Sequence, residues 1–195
     1  RQSFAVRETS SGDQFRFVLE CRALRRVREE IGLKNLIVMV PFCRTLGEAD
    51  KDLEVMAAQG LARSRGLKVY MMVEIPANVI LANAFAERFD GFSIGSNDLT
   101  QLVLGIDRDS DLLSDLFDEE NDAVKAAIRS VITDARARGV HTGLCGQAPS
   151  DRPAFARFLV ECGIDSLSVT PDSFITVKQA VAAAEADLDQ NEGGH

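Results

Sequence analysis

Five short apolar runs, each parted from the next by a stretch of helical periodicity, constrain this chain more than any other feature. They are Leu36 to Phe42 (LIVMVPF), Lys68 to Ile75 (KVYMMVEI), Asp90 to Gly95 (DGFSIG), Val140 to Gln147 (VHTGLCGQ, a strand with its exit loop) and Ile164 to Thr170 (IDSLSVT). The second and third have the length and content of strands buried on both faces, as parallel strands are. In the last, Ser166 and Ser168 alternate with Leu167 and Val169, which predicts a polar barrel-lumen side and an apolar helix side. Between the runs, Phe17, Val18, Cys21, Leu24, Val27 and Ile31 recur at helical spacing and stop at Gly32. Further helices are expected over Leu46 to Arg63, Pro76 to about Arg88, Asp122 to Arg138, Ser150 to near Cys162, and Pro171 to about Leu188. Strands alternating with helices lead to parallel, right-handed βα units.

A closed barrel of such units needs eight strands and about 250 residues. With 195 residues and five candidates, the chain is about three strands short. Either the sheet stays open or a second copy covers its apolar edges, so a homo-oligomer is expected. Residues 1–12 are polar and aperiodic and are expected to form an extended arm, residues 13–188 the domain, and residues 189–195 a frayed tail.

A net charge of −8 argues against a nucleic-acid partner, because the one basic stretch, Arg22 to Arg28, runs straight into Glu29 and Glu30. No apolar run has the length of a membrane span, and the first residues lack the layout of a signal peptide. Cys21, Cys43, Cys145 and Cys162 show no CxxC spacing and read as reduced thiols of a cytoplasmic protein.

The chemistry is expected at two acids. Glu74 and Asp98 stand at or just past the ends of neighbouring strands, with one helix-length segment between them. Ligands of parallel sheets bind outside the carboxyl ends of the strands, so the two would converge on one cavity. Two carboxylates with room for water suit Mg²⁺, which takes only one or two protein carboxylates and keeps several waters. The alternative role of each is to cap the helix that follows.

The segments MVPFCRT, MMVEIPAN, DGFSIGSNDLTQLVLGIDRDS, GLCGQAPSD and GIDSLSVTPDS, in this order and at these separations, resemble the C-terminal part of the phosphoenolpyruvate synthase family, a branch of the phosphoenolpyruvate-utilising enzymes. The resemblance runs from about Phe17 to Ala186. It implies an α/β fold that is part of a (βα)₈ TIM barrel, about five parallel strands corresponding to strands four to eight, with the helices outside. It also implies Mg²⁺ as cofactor, with Glu74 and Asp98 as its ligands, and a small carboxylate, pyruvate or phosphoenolpyruvate, as substrate. Asn97 matches a substrate contact, and the loop through Ser96 matches one that lines the same ligand. Cys145 matches the acid/base that moves the proton at the methylene carbon. Arg44, Arg108 and Gln147 are weaker substrate-binding candidates.

Family members carry a nucleotide-binding domain, a phosphohistidine domain and three barrel strands ahead of this region. None is recognisable here, and Arg1 and Arg7 do not fit the family's arginine-glycine motif. The expectation is therefore that these residues alone do not convert pyruvate and ATP to phosphoenolpyruvate. Two other functions stay open. One is a stand-alone hydrolase of esters or lactones, with Cys145, Ser96 or Ser150 as nucleophile and His141 or an acid as base. His141 and Cys145, four residues apart on one strand, are about 13 Å apart at strand rise and cannot pair directly. The other is a non-catalytic partner that docks through its sheet edge.

Overall fold

A computed structural model describes residues 3–5, 11–63, 66–107 and 113–192. Six parallel strands follow one another across a single sheet in chain order: β1 (Ser3–Ala5), β2 (Ile37–Val40), β3 (Lys68–Val73), β4 (Gly91–Gly95), β5 (His141–Cys145) and β6 (Ser166–Leu167). The helices between them are α1 (Ser11–Glu29), α2 (Leu46–Ala58), α3 (Pro76–Ile80), α4 (Ala82–Ala86), α5 (Ser96–Leu104), α6 (Asp122–Ala137), α7 (Ala148–Asp151) and α8 (Pro153–Glu161), with α9 (Phe174–Glu192) after the last strand. Sequential parallel order is the topology of a barrel segment, as expected.

The differences from the expected elements lie at the sheet's margins. β1 falls inside the stretch expected to be an arm, because three residues are too few to show a period and only pairing with β2 makes them a strand. At the other edge, the expected run Ile164 to Thr170 pairs over Ser166–Leu167 only, extended by Asp165 N to Thr142 O and Ser168 N to Leu144 O. The helix expected from Pro76 breaks at Leu81, α2 ends five residues before Arg63, and α9 continues to Glu192.

The core lies between the sheet and its helices. Val38, Val69, Met71, Val73, Ile94 and Leu144 of the central strands are almost wholly buried. α6 meets them with Val124, Ile128, Val131, Ile132 and Ala135, a stripe spaced by three and four residues, all fully buried. Burying one such aliphatic side chain stabilises the fold by about 1.5–3 kcal/mol. Glycine shapes the sheet where side chains cross it. A Cβ at Gly91 would stand 2.4 Å from the Tyr70 ring, so glycine lets that ring lie against β4. Ser166 and Ser168 face a concave cavity of about 270 Å³ on one side of the sheet, while Leu167 and Val169 face α9 on the other. No helix among the described residues is long and apolar enough to cross a membrane.

Candidate active site

Strand register decides what meets at the carboxyl end of the sheet. Val73 pairs with Ile94 and Gly95 with Cys145, so Glu74, the head of α5 and Cys145 stand at one level on three adjacent strands. Glu74 is 1% exposed, and its Oε1 accepts a hydrogen bond from Phe42 N at 2.6 Å. The side chain of Asn78 holds the surrounding loops. Its Oδ1 accepts from Glu74 N and Ile75 N, each at 3.3 Å, and its Nδ2 donates to Cys43 O at 2.6 Å. The loop after β2 is thereby tied to the loop after β3. Phe42 sits at φ +50°, a conformation costly for a bulky residue, and Glu74 grips the amide of that same residue.

Asp98 lies half-buried in the first turn of α5 beside half-buried Asn97. No side chain caps that helix, so its first amides keep their outward direction. Ser96 is fully buried. A Cβ at Gly146 would stand 2.0 Å from Ser96 Oγ and 3.3 Å from Glu119 Oε1, which shows how tightly the loop after β5 packs on both. Neither oxygen makes a hydrogen bond of good geometry, and Thr100 Oγ1 beneath them makes none either. Burial raises the Glu119 carboxyl above its usual range, and the nearby Ser96 hydroxyl only partly offsets this. Glu119 gave no signal in the sequence, where it stands near the end of the insertion between β4 and α6. Its neighbours Asp118 and Glu120 clamp Arg152 at 2.6 and 2.8 Å, which fixes the stretch against the start of α8.

Cys145 is half-buried and accepts a hydrogen bond from Ser93 Oγ at 3.4 Å. Burial pushes its thiol up, Ser93 lowers it, and the charges of Glu74 and Asp98 raise it further. Cys21 and Cys43 are pushed up to about 11 and about 12 by burial inside the core, where they act as packing. Arg44 is exposed on the loop after β2, its guanidinium 5.9 Å from the Phe42 ring centroid and its Nη1 donating to Phe42 O at 3.2 Å. Gln147 is exposed at the start of α7, and Arg108 lies outside the described residues. Among the described residues no three or more His, Cys, Asp or Glu side chains group closely enough to hold a metal ion.

The nucleophile candidates of the hydrolase alternative are apart from His141. Ser96 is buried, Ser150 Oγ accepts from Thr170 N at 3.0 Å, and Cys145 closes the far end of the strand that His141 begins.

The sequence of residues 5–186 matches the PEP-binding domain of the PEP-utilising enzymes. Phosphoenolpyruvate synthase of Synechocystis is 56% identical over 173 residues, covering 88% of this chain and 21% of its own length. The Escherichia coli K12 phosphoenolpyruvate synthase is 55% identical over 166 residues, covering 84% and 21%, and that of Aquifex aeolicus 54% over 173, covering 88% and 20%. The chain thus spans about a fifth of the length of these relatives. With its sheet order and 182 matched residues in agreement, it belongs to the PEP-utilising enzyme family, as that family's PEP-binding domain.

Proposed function

We propose that the rim formed by Glu74, the head of α5 and Cys145 binds pyruvate or phosphoenolpyruvate with Mg²⁺, and that Cys145 moves the proton at the substrate's C3. The observation that carries this reading is the strand register, which sets Glu74, the head of α5 and Cys145 at one level on three adjacent strands.

The residues suit the cation. Glu74 turns Oε1 to Phe42 N, and a Cβ at Gly95 would stand 3.1 Å from Oε2, so glycine lets the carboxylate lie close against β4. Asp98 is the second carboxylate, and one or two carboxylates are what Mg²⁺ takes from a protein. When bound, Mg²⁺ supplies Lewis-acid polarisation of the substrate's carboxylate and keto oxygens. The amides opening α5, with Asn97, receive a carboxylate or phosphate, since a helix N-terminus offers N–H donors and a favourable dipole. Arg44 adds positive charge from the loop after β2 and Gln147 a polar contact from the loop after β5. Arg108 is assigned the same role as Arg44 on its sequence setting. The raised pKa keeps Cys145 a thiol at neutral pH, ready to protonate C3 on the way to pyruvate and to take the proton back in reverse. In this reading the domain serves the substrate half of a phosphoryl transfer.

The test is proton exchange at the methyl group of pyruvate, followed by NMR in deuterated buffer. Exchange above the protein-free rate is expected with Mg²⁺ present and is expected to vanish in Cys145→Ala. Equal exchange in wild type and variant would remove the thiol from the chemistry.

A further inference from the structure

At the amino-terminal end of β5, remote from the site above, three side chains stand in sequence. His141 Nε2 lies 3.1 Å from Ser166 Oγ, and His141 Nδ1 lies 3.6 Å from Asp165 Oδ2. The same Asp165 oxygen accepts from Thr142 N at 2.7 Å and Thr142 Oγ1 at 3.3 Å, which fixes the carboxylate against the strand that carries the histidine. At 3.6 Å the carboxylate is a charge neighbour of Nδ1 rather than its hydrogen-bond partner, and the tautomer protonated at Nδ1 is the one that leaves Nε2 as acceptor for the serine hydroxyl. Gly143 makes the pairing fit: a Cβ there would stand 2.6 Å from Ser166 Oγ. The Tyr70 ring, centred 5.7 Å from the imidazole, supports it from β3.

From this geometry we infer that Ser166, His141 and Asp165 form a nucleophile, base and orienting acid that hydrolyse small carboxylic esters. Ser166 and His141 both border the concave cavity of about 270 Å³, whose remaining wall includes Ile37, Met39, Tyr70 and Phe92, an apolar surface for a short acyl or aryl group.

The step balances with water alone. Ser166 Oγ adds to the ester carbonyl carbon while its proton passes to His141 Nε2, and Asp165 steadies the imidazolium. The carbon–alkoxy bond breaks and the departing alcohol takes that proton. Water, deprotonated by His141, then attacks the acyl-serine, releasing the acid and restoring the hydroxyl. The two groups of residues stand at opposite ends of β5, and Ser93, which donates to Cys145, lines the same cavity.

The full chain is assayed with p-nitrophenyl butyrate, and a fluorophosphonate adduct is mapped by peptide mass spectrometry. Turnover is expected to fall by ~10²-fold or more in Ser166→Ala and in His141→Ala, the scale of a lost nucleophile or base. The exposed Ser130→Ala is expected to match wild type. The wild-type adduct is expected on Ser166, a readout that needs no variant to fold. No wild-type turnover, an adduct on a cysteine or another serine, or full activity in folded Ser166→Ala would each overturn the assignment.

Discussion

Replacing Glu74 separates its proposed metal role from its structural one. In Glu74→Ala the buried carboxylate's bond to Phe42 N, 2.6 Å long, is lost. A hydrogen bond to a charged group contributes about 1.5–3 kcal/mol. Phe42, at φ +50°, then loses a contact that holds it in a conformation costing roughly 1 kcal/mol or more. The fold should lose about 3 kcal/mol, which for a domain of this size lowers Tm by roughly 6–12 °C. Glu74→Gln keeps an acceptor of the same shape and loses mainly the charge, so its cost should be about 1 kcal/mol, or roughly 2–4 °C. Asp98→Asn, half-buried in the first turn of α5, should cost at most ~1 kcal/mol of helix-dipole stabilisation. All three should lose binding of Mn²⁺, used as a paramagnetic stand-in for Mg²⁺ and titrated with oxalate present. Wild-type Mn²⁺ affinity in Glu74→Gln would refute the metal assignment. A Glu74→Ala melting point within 2 °C of wild type would refute the account of the Phe42 loop.

Three further outcomes follow from the same structure. Iodoacetamide should label Cys145 with a midpoint above the ordinary thiol range, and Glu74→Gln should move that midpoint down by removing one of the charges that raise it; an unmoved midpoint would place the carboxylate too far away to matter. Because burial raises Glu119 in the folded state, its contribution to stability is complete below its unfolded value of 4.5 and is lost as pH rises through the higher folded value. Glu119→Gln should therefore gain stability relative to wild type between pH 4 and pH 7, and parallel denaturation midpoints across that range would contradict the raised pKa. Gly91→Ala would drive a Cβ to 2.4 Å from the Tyr70 ring, a contact that needs the ring or the strand to shift. A loss of about 1–3 kcal/mol is expected in urea titration, and an unchanged midpoint would show that the ring moves freely.

The central strands were legible because burial on both faces leaves an unbroken apolar run, as in Met71 to Val73 and Phe92 to Ile94. The margins were not. Ser3–Ala5 is strand only through its partner, and β6 is short because ladder bonds reach it from one side. The motif residues Glu74, Asp98 and Cys145 were identifiable one by one. Asn78, which ties two loops together, and Glu119, buried beneath Gly146, carried no mark because the approaches that matter, Asn78 to Cys43 O and Glu119 to the loop at Gly146, join residues far apart in the chain.

What the amino-acid order determined alone is the alternation of strand and helix, the placing of acids at strand ends and the family motifs, since all are local in the chain. Tertiary structure decided the rest. Parallel register set Glu74, the head of α5 and Cys145 at one height, and the same register set His141 beside Ser166 and away from Cys145. Distances between strands arise from pairing across tens of residues, and no local pattern encodes them.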